Sequence, residues 1–257
     1  MQEAVDLKKF IDNSKDKFQA LEKFKLESDK IRFNGLLTGF ISLASTIDRY
    51  EKELASEYNI FRILKNIHAK EVITHSPFMA DLLNTNGRHK QGDLFYNEFL
   101  KQLNLGEKEF QFIPDDRNLF FVEKEKHIGF IDDTGEKGGQ IDILITYRDK
   151  QKQFAIAIEN KINAVDQKNQ LLRYYNYLKL VHQPNFLLVY LTKNEKEINI
   201  TFPSDYDQDE VIKAKQRIIN INYKQHVSQL IQQSLNFINA NNIRAILIQY
   251  LQIINDL

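Results

Sequence analysis

Apolar residues near the start of the chain recur every three or four positions, with charged residues between them. The pattern runs through LKKFIDNSKDKFQALEKFK and IDRYEKELASEYNIFRILKNI, within residues 1 to about 70. This spacing places the apolar side chains on one face of a helix. Because no proline occurs before Pro77, we predict long amphipathic helices in this region.

After residue 70 the predicted helices are shorter, and the spacing of the apolar residues then changes to one typical of strands. HSPFMADLLN and LFYNEFLKQLN predict two short helices, the first opened by Ser76 as cap with Pro77 at its first position. β-rich runs follow, separated by turn sequences such as RDKQK: they are FQFIP, NLFFVEKEKHIGFI, GQIDILITYR and QFAIAIEN.

The last third of the chain alternates helices and strands. We predict a helix in DQKNQLLRYYNYLKLV, a strand in NFLLVYLT, a polar loop around Pro203, a strand in RIININ and two closing helices. A hairpin, a crossover helix and further strands together predict a mixed α/β sheet with helices on its faces.

Composition excludes some classes of protein but does not indicate a binding partner. The 257 residues include 35 Lys and Arg and 35 Asp and Glu, so the formal net charge is zero and any attraction to nucleic acid must come from a local patch. Cys is absent, which excludes disulfides and thiolate metal sites. The sequence shows neither a membrane span nor a signal peptide, so we expect a cytoplasmic protein.

Two carboxylates interrupt the apolar strands of the predicted hairpin. Asp142 lies within IDILI, and Glu159 ends the run AIAIEN. The RDKQK turn lies about midway between them, so an antiparallel hairpin would bring both to one end of the sheet. Converging carboxylates repel each other unless a cation lies between them, and oxygen ligands of this kind suit Mg²⁺.

A lysine accompanies the second carboxylate. Glu159 and Lys161 are two residues apart, so in a strand both side chains point the same way. Beside a metal, Lys161 would hold a phosphate oxygen or an attacking water. The alternative, for these residues taken singly, is a solvated strand end.

The helix after this strand carries a polar stripe. With Asp166 as its cap, Gln167, Gln170 and Tyr174 lie on one face, whereas Leu171, Tyr175 and Leu178 form the apolar face. The polar stripe would lie near the carboxylates and could bind the metal ligands or a phosphate; an ordinary wet helix face is the alternative.

In order, the chain reads Gly138-x-x-x-Asp142, Glu159-x-Lys161 and Gln170-x-x-x-Tyr174. This series resembles the motifs of the PD-(D/E)xK nuclease superfamily, in particular its exonuclease-like branch and one bacterial family within it. The resemblance extends from about residue 58 to the C-terminus and includes EVITHSPFMADLLNTNGRHKQGDLFYNEFL and INYKQHVSQLIQQSL. An arginine expected near Gln140 and a proline before Asp142 are missing.

The resemblance implies a restriction-endonuclease-like three-layer α/β core preceded by a helical extension, with domains at 1–57 and 58–257. It further implies that Asp142, Glu159 and the backbone carbonyl of Asn160 bind one or two Mg²⁺ ions, for which Mn²⁺ could substitute. Lys161 would position or help deprotonate the attacking water, and Gln170 and Tyr174 would complete the catalytic set.

The same resemblance leads to candidate roles for other residues. A glutamate from the first core helix often approaches the metal in such proteins; Glu71 is our first choice and Glu98 the second. Arg88 and Lys90, with His89, could hold backbone phosphates or form a solvated loop. His75 and His89 lack the paired spacing of a zinc motif.

The sequence therefore favours a metal-dependent nuclease acting on DNA, in a bacterial or phage defence or repair setting. The alternative is a catalytically silent nuclease-fold module that binds nucleic acid or a protein. In either case, the N-terminal helices could mediate homo-oligomerisation or bind a protein partner.

Overall fold

The computed structural model of the chain describes residues 2–54, 74–198, 200–204 and 206–257. Contacts divide the chain into two units, residues 1–51 and 52–257. In the first unit, the two helical patterns of the sequence belong to one helix as far as they are described, α1 (Gln2–Leu54). Glu71 lies outside the described residues.

The second unit is built on a five-stranded sheet whose strands follow one another in chain order. The strands are β1 (Phe120–His127), β2 (Gln140–Arg148), β3 (Gln153–Lys161), β4 (Phe186–Thr192) and β5 (Ile218–Asn222). The pairs β1–β2 and β2–β3 are antiparallel, whereas β3–β4 and β4–β5 are parallel. The predicted mixed sheet is therefore confirmed.

Helices cover both faces of this sheet. They are α2 (Ser76–Leu83), α3 (Leu94–Gln102), α4 (Gln170–Val181), α5 (Gln208–Arg217), α6 (Ser228–Leu235) and α7 (Asn241–Asp256). One apolar core joins the sheet to α2, α3, α6 and α7, and a second core joins it to α4 and α5. Helices, sheet and helices form the three layers expected from the sequence.

Successive side chains of β2 point alternately into the two cores, except at the start of the strand. Ile143 and Ile145 belong to the core on the α2 side, and Leu144 belongs to the core on the α4 side. Ile141 also belongs to the core on the α4 side, so strict alternation does not hold at the start of the strand. β3 is buried along almost its whole length, as expected of a central strand covered on both faces.

Three local predictions from the sequence are wrong. FQFIP does not form a strand, because Gly106–Phe112 is a short 3₁₀ helix. The polar segment after Pro203, predicted as a loop, contains α5. Asp207 caps this helix by accepting a hydrogen bond of 2.7 Å from the Glu210 backbone N–H. Only Ala214 of α5 is buried, so the helix carries no apolar stripe that its sequence could reveal.

The third error concerns the start of α2. His75 occupies the position before the helix, and Ser76 is its first residue with Pro77 next. Ser76 does not cap the helix, because its buried hydroxyl instead accepts a hydrogen bond from the side-chain amide of Asn160 at 3.0 Å. The residue therefore joins α2 to the end of β3.

Candidate active site

The end of β3 places a buried ion pair inside the second unit. Glu159 and Lys161 are only 2% and 9% exposed, and Lys161 Nζ lies 2.9 Å from Glu159 Oε1. Both side chains point to the α4 side because they are two residues apart in one strand. The solvated strand end that was the alternative for this pair is excluded by its burial.

Asp142 approaches the same place from β2. The register that pairs Ile143 with Ile158 makes Asp142 and Glu159 the next facing positions of the hairpin. Asp142 Oδ2 accepts a hydrogen bond of 2.7 Å from the backbone N–H of Asn160. The structure thus brings the two predicted carboxylates to one end of the β2–β3 hairpin.

These residues line a cleft of about 470 Å³ on the α4 side of the sheet. Its walls include Asp142, Glu159, Asn160, Lys161, Gln170 and Tyr174, the residues that the resemblance assigned to metal binding and to the catalytic set. Gly129, Phe130, Ile131 and Gly139, from the loop between β1 and β2, contribute part of the rim.

Gln170 of α4 binds the carboxylate of Glu159, and Tyr174 of the same helix binds the backbone of β2. Gln170 Nε2 donates to Glu159 Oε1 at 2.8 Å and lies 3.0 Å from the Tyr174 hydroxyl. The Tyr174 hydroxyl donates in turn to the carbonyl of Gln140. Both side chains are buried, so they do not form a wet helix face.

Burial and the negative charge of Glu159 raise the pKa of Tyr174 to about 12. The phenol therefore stays protonated at neutral pH and keeps its donor role. Because it holds the Gln140 carbonyl while Gln170 holds Glu159, α4 fixes the backbone before Asp142 together with the carboxylate opposite it.

The first turn of α4 differs from its prediction. The helix begins at Gln170, after Asn169 in the left-handed conformation with φ of 56°. Asp166 is not its cap, because its carboxylate accepts hydrogen bonds from Tyr190 and Lys196. Gln167 precedes the helix and accepts a hydrogen bond from Arg173, so it does not continue the helical Gln170–Tyr174 stripe.

Arg173 is the main residue of this region that sequence reasoning missed. Its side chain is 2% exposed, and Nε donates to the carbonyl of Gly138 at 3.0 Å. Its other nitrogens donate to the Lys168 carbonyl and to Gln167 Oε1. A charged residue inside the Gln-x-x-x-Tyr motif was the available signal, but its bond to the distant carbonyl of Gly138 could not be predicted from the sequence.

Gly138, the first residue of the motif series, is required by the loop that borders the cleft. Its φ is +81°, and a Cβ atom there would lie 2.0 Å from the carbonyl oxygen of Phe130. Only glycine fits such a close approach in this conformation. The loop therefore presents Phe130, with 91% of its side chain exposed, at the rim of the cleft.

Glu125 is a third carboxylate in the cleft wall, and the sequence analysis did not single it out. It has a left-handed φ of 54°, and Gln140 donates a hydrogen bond to its carboxylate. Burial raises its pKa. Glu98, by contrast, pairs with Lys101 at 2.6 Å on α3 and is absent from the residues that line the cleft.

His89 does not contribute the positive charge considered for the GRHKQG loop. The residue is fully buried, its Nδ1 accepts from the Gln91 backbone N–H at 3.0 Å, and Nε2 lies 3.0 Å from the Asn84 carbonyl. Burial lowers its pKa to about 4. Arg88 and Lys90 are exposed on either side and keep the charge of the loop.

The ligand set of the cleft suits a hard cation. Asp142 and Glu159 supply carboxylate oxygens, and Asn160 also lines the cleft, although its side-chain amide donates to Ser76. Within the described ranges, no group of three or more His, Cys, Asp or Glu side chains could hold a metal ion. Two carboxylates with a carbonyl are nevertheless oxygen donors of the kind that Mg²⁺ accepts.

Comparison with known proteins gives one match. Residues 58–252 match the family profile of the PD-(D/E)XK nuclease superfamily. Searches of curated proteins and of solved structures gave no significant match. No helix in the described parts of the chain is long and apolar enough to cross a membrane.

Proposed function

The chain belongs to the PD-(D/E)XK nuclease superfamily, and we propose that it is a metal-dependent nuclease that hydrolyses phosphodiester bonds in DNA. The observation that carries the proposal is the convergence of Asp142, Glu159 and Lys161 in one cleft, with the last two almost excluded from solvent. DNA is proposed because the motif order resembles the exonuclease-like branch of the superfamily.

Asp142, Glu159 and the backbone carbonyl of Asn160 are the proposed metal ligands. Their two negative charges against the single positive charge of Lys161 leave the cleft with a net charge that favours a cation. Bound Mg²⁺, or Mn²⁺ in its place, would lower the pKa of a bound water and offset charge on the scissile phosphate.

Lys161 is the proposed group that touches the reacting atoms. Its side chain lines the cleft and its ammonium lies beside Glu159, where it would donate to a phosphate oxygen or to the attacking water. A donor fixed in a buried site stabilises developing charge more strongly than one in water.

Gln170 and Tyr174 are proposed as positioning residues. Gln170 orients the Glu159 carboxylate by donating to Oε1, and Tyr174 holds the strand that carries Asp142 through the Gln140 carbonyl. Because the pKa of Tyr174 is about 12, its hydroxyl remains a donor throughout the pH range in which a nuclease is assayed.

The rim of the cleft supplies a surface for bases. Phe130 is 91% exposed although the β1–β2 loop holds it in place, and its ring lies 5.5 Å from that of His127. Stacking of a base on an aromatic side chain contributes about 1–3 kcal/mol. We therefore assign Phe130 to stacking on an unpaired base next to the scissile phosphate.

Cleavage of defined substrates tests the proposal. Linear duplex, circular duplex and single-stranded DNA, with RNA of the same sequence, are incubated with the full chain and Mg²⁺ or with a chelator. We expect metal-dependent cleavage of at least one DNA form, and a decrease of roughly 10²–10³-fold in Lys161→Met.

The matched control is Lys150→Met, which removes an exposed lysine from the turn at the opposite end of the same hairpin. It should cleave at the wild-type rate. If the wild-type chain binds DNA but cleaves nothing with either metal, the silent binding module replaces the nuclease. Cleavage of RNA alone would overturn the assignment of DNA.

A further inference from the structure

Helix α1 exposes a line of large apolar side chains. Phe33, Leu36, Phe40, Leu43, Ile47 and Tyr50, hereafter the α1 stripe, are between 49% and 73% exposed. An exposed apolar patch of this size marks a surface that binds a partner. Nothing in the proposed nuclease activity accounts for it.

The spacing of the α1 stripe indicates that the partner is a helix. Its members alternate steps of three and four residues, which is the a/d pattern of a coiled coil. Residues 33–47 contain no charged side chain. The hydroxyls of Thr38, Ser45 and Thr46 donate hydrogen bonds to backbone carbonyls of the same helix. Thr38, for example, donates to the Asn34 carbonyl at 2.8 Å. The pattern therefore calls for a second helix along the stripe.

The stripe is large enough for a reversible dimer. Burial of one large apolar side chain removes roughly 60–120 Å² of apolar surface from water. Six such side chains on each helix would bury roughly 700–1,400 Å² in total. Stable interfaces bury about 1,200–2,000 Å², so we expect an equilibrium between monomer and dimer.

The charges beside the stripe identify the second helix as another copy of α1. Between residues 25 and 53, the charged residues at the heptad positions that flank the stripe (e and g) are Lys25, Lys30 and Arg32 at its N-terminal end and Glu51 and Glu53 at its C-terminal end. Two antiparallel copies place each basic end against an acidic end. Two parallel copies would place Lys25 of one helix beside Lys30 of the other.

We propose that α1 pairs antiparallel with α1 of a second copy of this chain. The pairing stacks Phe33 on Tyr50 of the second copy, Leu36 on its Ile47 and Phe40 on its Leu43, and then repeats by symmetry. Such a two-fold contact is self-complementary, as closed dimers require.

Sedimentation of the full chain between about 1 and 100 µM tests the pairing. We expect wild-type protein to shift from monomer to dimer over this range. Phe40→Ser, at the centre of the stripe, should weaken the dimer at least tenfold without loss of helical circular dichroism.

The matched control is Ile31→Ser. Ile31 is 71% exposed on the same helix, but nine residues from Phe40 and so on the opposite side. It should dimerise like wild type. A wild-type chain that stays monomeric, or a control that dissociates as readily as Phe40→Ser, would overturn the proposal.

Charge reversal tests the orientation. Lys30→Glu with Arg32→Glu should weaken the antiparallel dimer about tenfold at low salt, and adding Glu51→Lys with Glu53→Lys should restore it. In a parallel dimer the first pair of substitutions would relieve the repulsion between Lys25 and Lys30. A tighter dimer in the first variant would therefore overturn the antiparallel assignment.

Discussion

Helices α1 and α4 depart in opposite directions from the usual distribution of polar and apolar side chains. α4 buries Gln170, Arg173 and Tyr174 to 7% exposure or less, whereas Phe40 of α1 is 73% exposed. Buried polar groups and exposed large apolar groups are the informative exceptions in a folded protein. In α4 the exception marks the candidate active site, and in α1 it marks the proposed contact with a second copy.

The buried polar side chains of α4 and the exposed apolar side chains of α1 differ in what they contact. The polar groups of α4 are bound within the chain: Gln170 to Glu159, Tyr174 to Gln140, and Arg173 to Gly138. The side chains of the α1 stripe are exposed, and the proposed pairing with a second copy would cover them. Substitutions in α4 should therefore change stability and activity of the isolated chain, whereas substitutions in the α1 stripe should change association.

The largest effect on stability is expected at Arg173. Arg173→Met removes the donor to three acceptors, of which the carbonyl of Gly138 is buried, and should lower the free energy of unfolding by about 2–4 kcal/mol. Urea unfolding followed by circular dichroism measures it.

Arg148→Met is the control, because Arg148 is exposed at the end of β2. It should cost less than about 0.5 kcal/mol. Equal losses in the two variants would mean that the buried hydrogen bonds of Arg173 do not set the stability of the region.

Glycines provide the next comparison between the two regions. Gly138→Ala would place a methyl group 2.0 Å from the Phe130 carbonyl and should destabilise by about 1–3 kcal/mol. Gly35 of α1 has nothing within 4 Å of an added Cβ, so Gly35→Ala should stabilise that helix by about 0.5–1 kcal/mol. Thermal melting that moves in the same direction for both would contradict this comparison.

Asp81 extends the comparison because it is a partly buried carboxylate outside the cleft. Burial raises its pKa from 3.8 to about 6, although Arg88 and Lys124 oppose the shift. The folded state therefore holds the proton more tightly than the unfolded state, so the contribution of Asp81 to stability decreases as pH rises from about 4 through 6.

Asp81→Asn should consequently raise the free energy of unfolding by about 1–2 kcal/mol near pH 7.5, and the gain should shrink towards pH 4.5. Melting temperatures at both pH values measure it. The exposed Asp133→Asn serves as control and should show no such pH dependence. A gain at Asp81 that is the same at both pH values would refute the assigned cause.

The sequence predicted the hairpin and its carboxylates because those signals are local. The RDKQK turn fixes which residues of β2 and β3 face each other, and the period of a strand puts Glu159 and Lys161 on one side. Long-range partners were not predictable in this way. Asp166 looks like a helix cap until Tyr190 and Lys196 bind it, and Ser76 looks like one until Asn160 binds it.

Cleavage across a Mg²⁺ titration tests most directly whether the buried polar cluster of β2, β3 and α4 is a metal-dependent nuclease site. Asp142→Asn should lose activity through weaker metal binding, so excess Mg²⁺ should partly restore it. Lys161→Met should remain roughly 10²–10³-fold below wild type at every Mg²⁺ concentration, because it lacks the group that contacts phosphate or water. Wild-type cleavage by Lys161→Met, or activity of the wild-type chain that is independent of divalent metal, would contradict the account.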